Sequence, residues 1–423
     1  MSVSRREFAR YLALSGSVAM WPEFPKGFAG IPTTPLPRTS EPDEKFWLDV
    51  RKRYLVPPDL AFINSANVAP ACLPVVEVLE KNTRFMEANP SAATRAVLTQ
   101  GREESRKLLA QSLGVTPEEI VMVRNTSEAN NFVSSGLKLG AGDEVVLFGD
   151  NHPSNLNAWR EKSTRFGFTI VEVPATLPHP GTAFYVDAFS KAITSRTKLL
   201  SITHVTNTIG DLLPVKELCA MARARGVMSL VDGAQTFGII ENNLRDMGAD
   251  FYTGSAHKWL CGPKEIGLLY VNAAVHDRIS PSVVGLYPGA VGISKTMEGF
   301  GQRDEAALAT LGAAVKFQSE IGPANIEKRS RDLAQRLTAG LTKLDGISMY
   351  SSTDPTRYAA IITFKVGKLD PDKMVTTLYE KERIACAHTA ASRPGLRLSP
   401  HIFNTTDEID RTVLAIKKYL ERG

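Results

Sequence analysis

A lysine amine attacks an aldehyde only where burial and fixed neighbours keep part of it neutral, and the stretch Ser255-Ala256-His257-Lys258-Trp259 has the residues to build such a place. Ser255 and His257 offer a hydroxyl and a ring donor suited to a phosphate. Directly after the lysine, Cys261-Gly262-Pro263 breaks the chain. Upstream, Asp232 emerges from the apolar run Ser229-Leu230-Val231, and a carboxylate there is costly to bury unless it meets a positive partner. A protonated pyridine nitrogen would be such a partner, and the pairing would keep the ring an electron sink. A lysine for an aldehyde, donors for a phosphate and a carboxylate for a ring nitrogen together describe pyridoxal 5'-phosphate. Singly, each has a plainer use: lone lysines mostly sit in surface loops, and an aspartate after a strand often caps the next helix.

The elements that must position these residues alternate along the chain. Strand-like apolar runs occur at Ala61-Phe62-Ile63, Ile120 to Val123, Glu144 to Phe148, Thr169 to Val173, Leu199 to Thr203, Met228 to Val231 and Asp250 to Thr253. Helical spacing runs over Leu73 to Ala88, Gly101 to Leu113, Val186 to Ile193 and Val215 to Arg225. Alternation of this kind predicts an α/β fold, a mostly parallel sheet with helices on both faces, in which ligands bind at the carboxyl ends of strands. Polar residues follow four of the strands: Asp150 to Asn155 with His152, His204 to Asn207, Asp232 to Gln235, and Lys258. A His152 ring in this company could stack on a cofactor and exchange a proton. Asn125-Thr126-Ser127-Glu128 reads both as a helix cap and as an anion site at a helix N-terminus. Further on, Ala306 to Ile321 and Ile326 to Leu344 have helical spacing, Ala359 to Phe364 is strand-like, and Glu382 to Ala387 reads as one strand.

At 423 residues, with 43% hydrophobic and 22% charged residues, the chain has the composition of a globular protein of two or three domains. A net charge of +5, spread along the sequence, leaves no nucleic-acid footprint. Cys72, Cys219, Cys261 and Cys386 are too widely spaced for a zinc ribbon or a disulfide scaffold, so no metal is expected. Residues 1–30 differ from the rest. Ser4-Arg5-Arg6-Glu7-Phe8 and the apolar run Tyr11 to Met20 resemble a twin-arginine export signal, and the run is too short to span a bilayer. Twin-arginine machinery carries folded proteins, so a periplasmic or secreted enzyme loaded with its cofactor before export is expected. Residues 31–64 read as a linker and N-terminal segment, 65–302 as the large cofactor domain and 303–423 as a small C-terminal domain.

The ordered series Thr126-Ser127-Glu128, His152-Pro153-Ser154-Asn155, Asn207-Thr208-Ile209-Gly210, Asp232-Gly233-Ala234-Gln235 and Ser255-Ala256-His257-Lys258 resembles the class V aminotransferase superfamily of fold type I pyridoxal phosphate enzymes. The resemblance runs from about Leu60 to the C-terminus. Gly301-Gln302-Arg303-Asp304 and Arg397 to Thr405 bring it nearest the isopenicillin N epimerase-like branch. It implies that Lys258 carries the cofactor as a Schiff base and later moves the Cα proton, and that Asp232 pairs with the pyridine nitrogen. It places Gln235 and Asn207 near the ring oxygen, His152 on the ring face, and Thr126, Ser127, Ser255 and His257 around the phosphate. Arg397 would grip the substrate carboxylate, which suits a planar guanidinium. Apart from the resemblance, Asn67, with Arg303, Arg393 and Tyr287, is a candidate to line the substrate pocket, though these four have nothing in the sequence that distinguishes them from surface residues. The family has threonine where Gln302 stands, in a loop that reaches the partner subunit's phosphate; a glutamine amide can still donate there, and the implied assembly is a homodimer with shared sites.

This cofactor implies an amino substrate without choosing which bond breaks. Aminotransfer or epimerisation at Cα is the first expectation, and a C–S lyase or cysteine desulfurase is the alternative. Desulfurases of the superfamily carry a nucleophilic cysteine on a loop before the Arg397 position; here Ala390-Ala391-Ser392 occupy that loop, and Cys386 falls in a strand-like run. A non-catalytic binding protein of the same fold is the remote third reading, opposed by the joint presence of Lys258, Asp232 and His152.

Overall fold

The computed structural model describes residues 36, 37 and 39–422, so the expected export signal lies outside the described residues. In chain order the strands are β1 (Ala61–Phe62), β2 (Ile120–Val123), β3 (Glu144–Phe148), β4 (Thr169–Val173), β5 (Thr197–Thr203), β6 (Met228–Asp232), β7 (Phe251–Ser255) and β8 (Gly267–Val271). They are followed by β9 (Ile347–Met349), β10 (Ile362–Val366), β11 (Ile384–Ala385), β12 (Ala387–His388) and β13 (Leu396–Leu398).

The central sheet runs β2-β8-β7-β6-β5-β3-β4, and within it β8 alone is antiparallel to its neighbours. Strands β2, β3, β7 and β8 are buried at every position, as continuous apolar runs covered on both faces must be. The sheet is thus the mostly parallel one the sequence pattern predicts. Strand β8 lay in a segment read only as chain after the lysine.

A second sheet, β12-β13-β10-β9, is antiparallel throughout. Beside it β1 pairs in parallel with β11, and Asn64 bridges Ser399 just beyond β13. The N-terminal turn 64–67 is thereby stitched to the strand that carries Arg397. One expectation shifts in this region. Glu382 closes the helix Pro371–Glu382, and Arg383 turns the chain through a left-handed conformation (φ 55°), so β11 and β12 replace a single strand over 382–387.

The helix expected to begin at Gly101 begins at Ala92 and runs to Ser112. Gly101 is not a stop signal but a close-approach point: a Cβ there would lie 2.9 Å from Ala309 Cβ on the helix Glu305–Ile321. That second helix shares its apolar core with the central sheet, whereas Leu333, Leu337 and Leu341 pack with β10 and β13. Beside the sheet edge, buried Arg106 pairs with buried Glu298 at 2.6 Å, and Glu298 also accepts from Met122 N of β2, so the segment after β8 is anchored where it returns to the sheet. No described helix is long and apolar enough to cross a membrane.

Candidate active site

Four parallel strands end beside one another, and their carboxyl ends hold the expected residues. Asp232 closes β6, is 3% exposed, and its carboxylate receives three hydrogen bonds: Asn130 Nδ2 at 2.9 Å, Asn155 Nδ2 at 3.1 Å and Ala234 N at 3.1 Å. Three donors orient this carboxylate, which makes no ion pair among the described residues and so is open to one positive partner. Asn130 is itself fixed by Thr253 Oγ1 of β7 at 3.2 Å. Asn130 is absent from the sequence reading, and Asn155 enters it only within the stretch His152-Pro153-Ser154-Asn155, with no role assigned. Asn130 falls one helical turn after Thr126, so a helix read as presenting one face to the site would have found it.

Lys258 follows β7. Burial pushes its amine down to about 8, against an opposing pull from Asp232 and a further push from Arg397. Its Nζ makes no hydrogen bond among the described residues, as a nucleophile requires. His152 is the N-cap of the helix Pro153–Phe166: its Nδ1 accepts from Ser154 N at 3.2 Å, which leaves the neutral ring's proton on Nε2. Burial lowers its pKa first, then the charge of Lys258, with Asp232 opposing, so the three residues share one electrostatic neighbourhood.

The corner expected to take a phosphate is ordered as well. Asn125 caps the helix Thr126–Gly136, and Ser255 Oγ lies 2.9 Å from both Thr126 N and Thr126 Oγ1. Ser127 sits in the same first turn, where backbone N–H groups favour an anion. His257 is held neutral, with its pKa pushed down to about 4 by burial and by Lys258 and Lys264.

Gln235 is already engaged. Trp259 Nε1 donates to its Oε1 at 2.8 Å, so the amide nitrogen faces Ala66 O at 3.0 Å. One amide hydrogen remains for a ring oxygen.

The substrate side is arranged differently. Arg397, in the middle of β13, donates from Nη1 to Asn207 O at 2.8 Å and from Nη2 toward Asn64 Oδ1 at 3.4 Å. It has no acid partner among the described residues, its Nε is buried without a partner, and burial lowers its pKa. Asn207 Oδ1 is likewise buried and unpartnered. Asn67 is exposed and touches the turn only through its backbone N on Asn64 O, so Asn64 is the side chain of this turn that meets Arg397. Gln302 is exposed, its amide 3.5 Å from both Arg303 O and Glu305 Oε1, and within one chain it does not join the other residues.

All four cysteines are buried. Cys386 lies between β11 and β12 at 8% exposure, with burial pushing its thiol up to about 12.

The buried anion of Asp232, the partly neutral amine of Lys258, the Thr126–Ser255 corner and the orphaned Asn207 oxygen fit pyridoxal phosphate, and the unpaired Arg397 fits a substrate carboxylate. Comparison with known proteins agrees. A probable cysteine desulfurase of Xylella fastidiosa (strain Temecula1) is 30% identical over 417 residues, covering 92% of this chain and 98% of that one. An isopenicillin N epimerase of Streptomyces clavuligerus is 29% identical over 401 residues, covering 88% and 97%. The apo structure of a cysteine desulfurase from Thermococcus onnurineus NA1 superposes with a TM-score of 0.79 at 25% identity, covering 89% of this chain and 98% of that one. The family model for aminotransferase class-V matches residues 61–412. The chain therefore belongs to the class V aminotransferase family, and it is a pyridoxal-phosphate-dependent enzyme with the fold type I architecture.

Proposed function

We propose that this enzyme acts at the Cα of an amino acid or amino-acid-containing metabolite, as an aminotransferase or an epimerase. The observation that carries the reading against sulfur transfer is the burial of every thiol. A persulfide-forming enzyme needs a thiolate that meets its substrate, and Cys386, the one cysteine near Arg397 in sequence, is buried with its thiol held protonated. The loop 389–395, where a desulfurase would carry that residue, holds Ala390, Ala391 and Ser392.

In this reading Lys258 holds the cofactor, Asp232 binds its ring nitrogen, and Thr126, Ser127, Ser255 and His257 take its phosphate. When bound, the cofactor supplies an electron sink for negative charge at the substrate Cα. Arg397 takes the substrate α-carboxylate by two parallel hydrogen bonds and so orients the Cα–H bond. Lys258 Nζ, whose pKa burial lowers to about 8, is neutral in part near neutral pH, and that neutral fraction takes the proton. His152 Nε2 is the second atom able to hold or return one, as inversion at Cα requires.

The working unit in this reading is a homodimer. Val284 and Leu286, 86% and 70% exposed, with Val283 and Tyr287, form an apolar tip on the segment that the Arg106–Glu298 pair anchors, and Gln302 lies on the same segment. Exported, folded and cofactor-loaded, the enzyme would act in the periplasm or outside the cell. Fractionation that finds it only in the cytoplasm removes this last part.

A C–S lyase that needs no enzyme thiol is the second reading, favoured by the desulfurase names among the relatives. The experiment that separates the two is the visible spectrum of the purified protein with a panel of amino acids and no oxo-acid acceptor. Conversion to the pyridoxamine form, or inversion of the substrate without loss of a fragment, supports the first reading. Sulfide or persulfide released from cysteine or cystine supports the second. Lys258→Ala abolishes the cofactor's visible band; a variant that kept it would remove the cofactor assignment of Lys258.

A further inference from the structure

The segment that carries Lys258 is held at one backbone oxygen by two distant parts of the chain. Trp259 O accepts from Gln318 Nε2 at 2.8 Å and from His401 Nε2 at 2.7 Å, so two full donors meet one buried carbonyl, with the weak Cys261 thiol donor 3.8 Å away. Each donor has a second attachment. Gln318, on the helix Glu305–Ile321, also donates to Gly238 O at 3.0 Å. Gly238 follows Asp232 and Gln235, and it packs backbone to backbone on Leu260: a Cβ at its φ of 93° would lie 2.5 Å from Leu260 N. One amide thus spends both hydrogens tying the Asp232 segment to the Lys258 segment.

His401 lies four residues beyond Arg397 in sequence. Its Nδ1 is 3.1 Å from Ser330 Oγ, and burial pushes its pKa down to about 4, so the ring stays neutral at physiological pH and keeps one proton. A neutral ring whose Nε2 faces a carbonyl carries that proton on Nε2, and Ser330 then donates to Nδ1. Its ring also meets Trp259 edge-on, at 5.2 Å and 89°. The indole N–H of Trp259 goes to Gln235. The segments bearing Asp232, Lys258 and Arg397 therefore meet at Trp259.

We infer that Gln318 and His401 are positioning residues: acting through the Trp259 carbonyl, they fix the backbone from which Lys258 reaches the cofactor, in register with Asp232 and Arg397. Neither touches the expected cofactor position. Their contribution is to restrict the arc swept by Nζ, and a catalytic group displaced by about 1 Å loses roughly a hundredfold in rate. The alternative is that they only satisfy a buried carbonyl, as any buried backbone group must be satisfied.

The inference rests on Lys258 as the cofactor's anchor, and the test separates the two. Apoprotein is mixed with pyridoxal phosphate, and the rate of appearance of the visible band is followed across pH. Gln318→Leu and His401→Leu are each expected to slow it about tenfold or more and to move its pH midpoint away from about 8. His401→Gln, which restores a donor, should recover most of the loss. Phe168→Ala, a buried substitution in an apolar cluster that does not include Trp259, serves as the control for lowered stability alone and should leave rate and midpoint unchanged. Should Gln318→Leu not fold, Gln318→Asn, one methylene short of both carbonyls, carries the same expectation. Folded variants that take up cofactor at the wild-type rate and midpoint, or a Phe168→Ala protein that slows as much as they do, overturn the inference. A Lys258→Ala protein that still forms the band instead overturns the reading on which it stands.

Discussion

The two halves of the site are prepared in opposite ways. Around Asp232 the protein has satisfied its own polar groups in advance: three donors hold one carboxylate, and each belongs to a different element. Around Arg397 it has left them wanting, with a largely buried guanidinium that faces a backbone carbonyl and an amide but, among the described residues, no acid. The first arrangement suits a resident group that binds once and must be held without reorganisation. The second suits a visitor. A substrate carboxylate relieves a cost the free protein already carries, so part of its binding energy comes from ending that penalty.

This contrast can be broken by substitution, starting where the effect is largest. Asp232→Ala leaves Asn130 Nδ2, Asn155 Nδ2 and Ala234 N without their acceptor and removes the ring nitrogen's partner. Cofactor affinity should fall by about 10²–10³-fold, or ~3–4 kcal/mol, measured by titrating apoprotein, and the apoprotein should melt lower. Arg397→Leu should instead raise the substrate concentration that half-saturates the spectral change by about 10²-fold, or ~3 kcal/mol. Cofactor affinity should be unchanged and the melting temperature of the apoprotein equal or higher, because an unpaired buried charge is gone. If Arg397→Leu destabilises the apoprotein as much as Asp232→Ala, the two halves are not different in kind.

A smaller effect follows from Lys258. Its amine is charged in both folded and unfolded chains below about pH 8, so the cost of burying it is fully present there. Between about 8 and the usual 10.5 the folded protein has released the proton that the unfolded chain still binds, and the stability of the apoprotein rises with pH. Lys258→Met should flatten that rise, as denaturant melts of the two apoproteins at pH 7 and pH 10 will show. Gln302→Ala should do least: less than about twofold on cofactor uptake where the protein is monomeric, with a larger loss confined to the dimer, since the exposed amide touches only its own segment.

Much of this architecture could be read from the residues themselves. Lys258, Asp232, His152 and Thr126 stand out because chemistry-bearing types follow strands of strong apolar periodicity, and strand ends converge in parallel sheets. Asn130 was legible only by carrying the face of Thr126 one helical turn onward, and Asn155, though part of the His152 stretch, has no local signal that its amide meets Asp232. Asn67 was preferred to Asn64 for the same reason: which residue of a turn points inward is settled by the Asn64–Ser399 bridge, a contact between positions remote in sequence. Gly101 misled about where its helix begins, because a glycine that admits a neighbouring helix has the same letter as one that lies at a helix boundary.

The pairing of β1 with β11 sets an order of events during synthesis. Ala61 and Phe62 find their hydrogen-bonding partners only in residues more than 300 positions later. At ribosomal speeds of ~5–20 residues per second the nascent chain therefore carries an unpaired strand for roughly 15–60 s. Neither the N-terminal segment nor the sheet around Arg397 can reach its final form before the last tenth of the protein has left the ribosome, so a truncated product would present both as open edges for aggregation.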